Sequence, residues 1–284
     1  MKSILVPVDF SVTSDQVVRA ATQLSRKTGA ELVLFHSIEA FLAPLSSDFT
    51  GLEPLAYQEM MAALGDQYQN RLNEMAGQIR KSGIEVSVRM SVGRAHLMIA
   101  DASLSLQSDL IMIGKTGHTQ LHYILLGSTT ERLLRVTGTP VLSVSRQDET
   151  ALESVRKIGL PLDMSEESLQ ILPAAVSWAK QWGATLELIH VDVLGKYMNA
   201  DRDFFPDLAL RHPLIQEVSF KKVILNGEKV TDLLLAYGRE NDIGLWMQTS
   251  QGSGHLTSVL IGSRAEHLIR HSEKPVYTQR IVKR

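Results

Sequence analysis

The chain is written twice. Ile4-Leu5-Val6-Pro7-Val8-Asp9-Phe10-Ser11 returns as Ile158-Gly159-Leu160-Pro161-Leu162-Asp163-Met164-Ser165, and Gly29-Ala30-Glu31-Leu32-Val33-Leu34-Phe35-His36 as Gly183-Ala184-Thr185-Leu186-Glu187-Leu188-Ile189-His190, each 154 residues later. Toward the ends of the copies, Leu125-Leu126-Gly127-Ser128 matches Leu260-Ile261-Gly262-Ser263, and Thr139-Pro140-Val141 matches Lys274-Pro275-Val276, now 135 residues apart. Order and chemistry agree, so this is a tandem duplication, and the second copy has lost about one helix's worth of chain. The polar stretch Arg146-Gln147-Asp148-Glu149-Thr150, running on to about Ser154, is the junction. It divides the chain into units 1–147 and 154–284.

Within each unit, short apolar runs alternate with longer amphipathic ones. The first unit predicts strands near 3–8, 31–36, 84–90, 109–113 and 140–145, and helices near 14–28, 53–82, 94–106 and 127–137. The strands are nearly continuous apolar runs, as in a parallel sheet covered on both faces. Strand–helix alternation with right-handed crossovers gives an α/β class, with a doubly wound layer in each unit. Ser11 and Ser14 suit the start of the first helix and Gly29 its end. The second unit predicts strands near 155–160, 185–190, 218–225, 242–247 and 276–281; Pro206 and Pro213 argue against a long second helix there.

Composition narrows the partners. The chain has 284 residues, a net charge of −2 and no cysteine. A near-neutral balance disfavours nucleic acid as a partner, because phosphate neutralisation needs a basic surface. Disulfides, thiol catalysis and cysteine–zinc sites are excluded, and a cytoplasmic protein is expected. The run at the start is too short for a signal peptide, and no stretch approaches the roughly 20 apolar residues that span a bilayer. No membrane partner is expected.

The chemistry concentrates after the fourth strand. Asp109-Leu110-Ile111-Met112-Ile113 runs into Gly114-Lys115-Thr116-Gly117, and Gly127-Ser128-Thr129-Thr130 opens a helix. The pattern is Gly-x2-Gly-x9-Gly-Ser. Glycines allow close approach of a ligand, and a helix N-terminus with free N–H groups and hydroxyls receives anions. Together they describe a phosphate cradle. It is not a Walker loop, which would need a glycine where Asp109 stands. In open α/β sheets ligands lie beyond the carboxyl ends of strands, where strand order reverses. If the first and fourth strands flank that point, Asp9 and Gly114 become neighbours. Asp9 can then meet ribose hydroxyls or a Mg2+ ion held by phosphates. Ser37 and Ile38 face the adenine, Lys115 and His118 offer donors near the phosphates, and Ser128, Thr129 and Thr130 offer hydroxyls.

These residues carry a resemblance. Pro7-Val8-Asp9-Phe10-Ser11, Leu34-Phe35-His36-Ser37 and the glycine pattern make the first unit resemble a universal stress protein domain of the ATP-binding type. The whole chain is similar to tandem members of that family. The resemblance implies a five-stranded parallel sheet of the adenine nucleotide alpha hydrolase-like kind in each unit, a bound adenine nucleotide with Mg2+, and stress-linked regulation. It carries adenosine contacts onto Pro7, Val8, Asp9 and Ser37, and phosphate contacts onto Gly114, Lys115, Gly117, His118, Gly127, Ser128 and Thr129. Ser37 stands where the family has valine. It also implies that terminal strands pair between domains, here as a pseudo-two-fold pair within one chain, with a homodimer of chains open.

The second unit departs from the pattern. Asp163 and Val191 keep the adenosine positions, and Gly252-x9-Gly262-Ser263 is kept. Thr249 replaces the first glycine, where a side chain would crowd a phosphate. The segment from Asp242 to Gly252 reads as two residues longer than its counterpart.

Plainer readings stand beside these. Asp9 and Asp163 also suit helix capping. His36 and His190 end equivalent strands and read as structural, hydrogen-bonded to nearby backbone. His118 and His122, like His267 and His271, are four apart, but no third metal ligand lies at matching spacing. Met60, Met61, Leu64, Tyr68, Leu72, Met75 and Ile79 recur at helical spacing, as core packing requires. Three function classes follow: a nucleotide-binding regulator; a slow ATPase or phosphotransferase using Asp9, Lys115 and His118; or a scaffold with vestigial pockets.

Overall fold

The computed structural model describes residues 1–39, 54–116, 126–145, 152–195, 205, 208–251 and 261–281. The first unit runs β1 (Ser3–Pro7), α1 (Val12–Thr28), β2 (Glu31–Ile38), α2 (Pro54–Arg80), β3 (Val86–Val92), α3 (Ala95–Ser105), β4 (Leu110–Gly114), α4 (Ser128–Val136) and β5 (Val141–Val144). The second runs β6 (Lys157–Pro161), α5 (Glu166–Leu169), α6 (Leu172–Trp182), β7 (Thr185–Asp192), α7 (Leu208–Arg211), a 3-10 turn (Pro213–Glu217), β8 (Phe220–Asn226), α8 (Val230–Glu240), β9 (Leu245–Thr249), α9 (Ser263–His271) and β10 (Val276–Gln279).

Each unit contributes five parallel strands, and the two sets form one ten-stranded sheet of order β3-β2-β1-β4-β5-β10-β9-β6-β7-β8. The junction is antiparallel: Val276 pairs with Ser143, Tyr277 with Leu142 and Thr278 with Val141. Leu142 and Tyr277 hold equivalent positions in the two units, so this pair marks the pseudo-two-fold axis. Ser143 Oγ donates to the Val276 carbonyl at 3.1 Å across the seam. Pairing β5 with β10 satisfies two edges that would otherwise present unpaired backbone.

Strand alternation sends side chains to two cores. Ile4, Val6, Leu32 and Leu34 meet α1 and α2 on one face, and the second unit adds α5 and α6 to the same face. Leu5, Val33, Phe35 and Ile111 meet α3 and α4 on the other, joined by α8 and α9. Each fully buried Leu or Ile side chain contributes about 1.5–3 kcal/mol.

Two elements differ from their sequence expectation. The spacing on α2 suggested packing along its length, yet only the later part packs closely: Leu72, Ala76 and Ile79 are buried, while Met60 is exposed. The counterpart of α1 is broken into α5 and α6. Pro173 sits in the first turn of α6, where its missing N–H costs nothing, but a proline there cannot continue a helix arriving from α5.

Candidate functional site

In each unit the chain moves outward from the first strand and then returns to the first strand's other side. β1 lies between β2 and β4, and β6 between β7 and β9. The crevices at β1/β4 and β6/β9 are therefore the places where strand order reverses.

The turn after β1 and the turn after β6 are built identically. Asp9 Oδ1 accepts from the Ser11 N–H at 3.0 Å and from Ser11 Oγ at 2.6 Å. Asp163 Oδ1 accepts from Ser165 at the same two distances. Ser11 Oγ accepts from the Ser14 N–H at 3.2 Å, and Ser165 Oγ from the Ser168 N–H at 3.1 Å. The serines are thus the N-caps of α1 and α5, and the aspartates hold the caps. Between them, Phe10 (φ 60°) and Met164 (φ 62°) occupy the left-handed region, which costs a side-chain-bearing residue energy. The first unit covers its turn with an aromatic group: Phe10 stacks on Tyr68 at 5.4 Å and lies under the Arg71 guanidinium at 4.1 Å.

His36 and His190 pin these turns from the next strand. His36 Nδ1 lies 2.7 Å from the Val8 carbonyl, and His190 Nδ1 lies 3.0 Å from that of Leu162. A carbonyl only accepts, so each Nδ1 carries the proton. Burial pushes both imidazoles below the ordinary histidine value, outweighing the opposing pull of the backbone bond. Pro7 ends β1, and the Val8 N–H is spent on the Phe35 carbonyl at 2.8 Å. Ser37 Oγ donates to the Gly93 carbonyl at 2.9 Å, tying β2 to the loop before α3.

The end of β4 explains the glycines by space. A Cβ on Gly114 would lie 2.7 Å from Thr13 Cγ2 and 3.0 Å from the Thr116 carbonyl oxygen, so close approach of α1 is itself a reason for glycine. Gly127 caps α4 at φ −62°, an ordinary value. Its N–H donates to the Lys115 carbonyl at 2.6 Å, while the Lys115 N–H donates to Val144 at 2.8 Å. The loop's root is thereby stitched between β5 and α4. Thr130 Oγ1, expected to be a ligand donor, donates instead to the Gly114 carbonyl at 2.7 Å. Ser128 is exposed and Thr129 half-buried in the first turn of α4, whose cap supplies no side-chain bond. Gly117, His118, His122 and Gly252 lie outside the described residues.

The Lys115 side chain finds its partners in the second unit. Its ammonium donates to the carbonyls of Ser272 and Lys274, each at 2.7 Å, and the residue is 5% exposed. The side chain crosses to the second unit because the chain after α9 offers it two carbonyls. With those two carbonyls as acceptors, the ammonium is held by the backbone of the second unit.

At β6/β9 lies a cavity of about 360 Å3. Asp163, Val191, Thr249, Gly262 and Ser263 all line it. Leu162, Ile189, Val230, Leu234 and Leu268 supply an apolar wall, and Gln248, Ser250, Gln251 and Arg264 add polar groups. Arg264 escaped the sequence reading; aligning the two Gly-Ser pairs puts it opposite Thr129, where a cation at a helix start stands out. Two expectations for this unit change. Thr249 Oγ1 donates to the Gln251 carbonyl at 2.6 Å, so its side chain is tied into the wall. The loop is not longer: β9 starts at Leu245, and Ile158 pairs with Leu245 as Ile4 pairs with Leu110. Both strands then stand seven residues before their second glycine.

Among the described residues no group of three His, Asp or Glu side chains is placed to hold a metal. His267 and His271 meet edge to face, with ring centres 4.2 Å apart. No helix among the described residues is long and apolar enough to cross a membrane.

The universal stress protein family model matches this chain twice, over residues 1–145 and 154–280. The chain belongs to the universal stress protein family. A universal stress protein of Mycolicibacterium smegmatis is 26% identical over 301 residues, covering 98% of this chain and 96% of its own. One from Methanocaldococcus jannaschii is 27% identical over 156 residues, covering 52% of this chain and 96% of its own. The crystal structure of a universal stress protein from Archaeoglobus fulgidus superposes with a TM-score of 0.76 at 24% identity, covering 98% of each chain, and shares the fold.

Proposed function

We propose that this universal stress protein binds an adenine nucleotide, ATP in the first instance, at the β1/β4 crevice, and that occupancy regulates its partners. The supporting observation is the cavity at the equivalent β6/β9 crevice: it gathers Asp163, Gly262 and Ser263, whose counterparts are Asp9, Gly127 and Ser128. The apolar wall suits a base, the aspartate a ribose, and the helix start a phosphate. In the first unit, Pro7, Val8, Asp9 and Ser37 lie along the base and ribose side. Gly114, Gly127, Ser128 and Thr129 lie along the phosphate side, with Gly117 and His118 assigned by the resemblance. The second cavity, with Arg264 added at its helix start, is a further candidate for a phosphorylated ligand.

Mg2+ has a limited place. One oxygen of Asp9 already holds Ser11. The ion would come with the nucleotide's phosphates, and Asp9 would add one carboxylate at most. Turnover is the weaker reading. Phosphoryl transfer needs charge placed beside the reacting phosphate, and the Lys115 ammonium is committed elsewhere. We take the two units, 1–147 and 154–284, as one regulatory body whose terminal strands pair within the chain. Any homodimer would then use another surface. A ligand regulates this body only by binding one of its states more tightly.

The test is mass spectrometry of small molecules released from heat-denatured protein, quantified per chain, with calorimetric titration of ATP. One adenine nucleotide per chain supports the first crevice, and two extend the reading to the second. None released, and no heat on titration, would leave the scaffold reading.

A further inference from the structure

Helix α9 is held from the first unit at both ends. At its start, Arg135 of α4 approaches Glu266 at 3.8 Å. At its finish, Lys115 grips the carbonyl of Ser272, the residue that caps α9, and that of Lys274. A buried ammonium is stable here because two carbonyls and the negative end of the helix dipole face it. The backbone of the same lysine is fixed between Val144 and Gly127, at the root of the loop that follows β4. The opposite end of α9, through Gly262, Ser263 and Arg264, lines the second cavity. One residue therefore joins the first unit's loop to a wall of the second unit's cavity.

The connection runs one way. The counterpart of Lys115 is Ser250, whose side chain is too short to make the reciprocal reach and which itself lines the cavity. Arg135 and its counterpart Arg270 make the same pair within their own helices, Arg135 with Glu131 at 2.5 Å and Arg270 with Glu266 at 2.6 Å, and among the described residues it is Arg135 that also approaches across the units, to Glu266 at 3.8 Å. Duplication alone would give both or neither of these links. α9 is a rod of nine residues, about 13 Å long, so a shift at Ser272 reaches Ser263 without being absorbed.

We propose that Lys115 is a positioning residue for the second cavity: it sets where α9 lies, and a ligand at the β1/β4 crevice, where the Lys115 backbone is anchored, thereby alters the cavity's affinity. The ligand half of this statement rests on the nucleotide reading above; the positioning half does not. Coupling of this kind is reciprocal, so a ligand in the second cavity alters affinity at the first crevice by the same factor.

The test is hydrogen exchange on the full chain, comparing the wild type with Lys115→Met and Lys115→Arg. Without nucleotide, Lys115→Met removes two charge-assisted hydrogen bonds and should speed exchange in α9 by about tenfold or more, while α4 is unchanged. Lys115→Arg, which keeps the cation, should restore most of the protection. Equal acceleration in α4 and α9 would mean general destabilisation and would overturn the proposal, as would unchanged exchange in α9. With ATP at saturating concentration for each protein, α9 should respond in the wild type and not in Lys115→Met; an equal response in both overturns the coupling. If calorimetry detects no ATP binding to the wild type, the nucleotide reading and the coupling both fail, and the nucleotide-free comparison still decides whether Lys115 positions α9.

Discussion

Trp246 fills the space that a side chain on Gly159 would need: a Cβ there would lie 2.6 Å from the indole ring. The two residues are register partners in β6 and β9. In the first unit the same register pairs Leu5 with Ile111. Two medium side chains in one copy have become one large and one absent in the other, and the indole also fills the space a side chain on Gly238 would need, 2.6 Å from a Cβ there. Gly159→Ala should therefore destabilise the protein by about 1–3 kcal/mol, the usual cost of overpacking a well-filled site. Chemical denaturation followed by tryptophan fluorescence would measure it. A change below about 0.5 kcal/mol would show that the indole moves aside easily.

The Asp-x-Ser turns separate structure from ligand binding by choice of substitution. Asp163→Ala removes both bonds to Ser165 and should cost about 1–2 kcal/mol, since the N-cap of α5 loses its anchor. Asp9→Asn keeps an acceptor oxygen for Ser11 but removes the charge. It should leave the melting temperature near that of the wild type while weakening ATP binding in calorimetry. Full ATP affinity in Asp9→Asn would reduce Asp9 to the holder of a cap.

Two glycines distinguish packing from ligand. Gly262→Ala meets only the Ser250 carbonyl oxygen, at an ordinary 3.5 Å, with φ at −59°. It should cost about 1 kcal/mol or less, the difference between Gly and Ala at an N-cap. The new methyl borders the cavity, so ligand affinity there should fall. Gly114→Ala strikes Thr13 and should destabilise by about 1–3 kcal/mol whether or not a ligand binds. Equal losses of stability in the two variants would remove the special status of Gly262.

Acid sensitivity should come partly from His36 and His190. Both are held below the reference value of 6.5 by burial, so in that range the unfolded chain binds more protons than the folded one. Stability is then fully present above pH 6.5 and falls as the pH drops below it, toward the lowered folded values. His36→Asn, whose amide N–H can still donate to Val8, should flatten part of that slope in denaturation curves collected between pH 7 and 5. An unchanged slope would assign the acid sensitivity to other groups.

Much of the fold was legible because the duplication and the parallel-sheet pattern are local signals repeated in register. The apolar run predicts a strand near 242–247 because Ile243 continues it, while the sheet begins at Leu245, and that offset makes the loop read longer than it is. The break between α5 and α6 was signalled by Pro173 but hidden by the strong match to α1. For the candidate site, residue types and spacing located Asp9, Asp163 and the Gly-Ser pairs. They could not say where long side chains point, and Lys115 points away.

The sequence by itself determined the two units, the strand–helix order, the Asp-x-Ser turns and the family, because each depends on residues close together in the chain or on a repeat that can be read directly. Only the tertiary structure decided that the ten strands form one sheet, that Trp246 answers Gly159, that a cavity opens at β6/β9 and that Lys115 spans to Ser272. Those outcomes join residues far apart in sequence, and a side chain's partner is set by what packing brings within its reach, not by its neighbours along the chain.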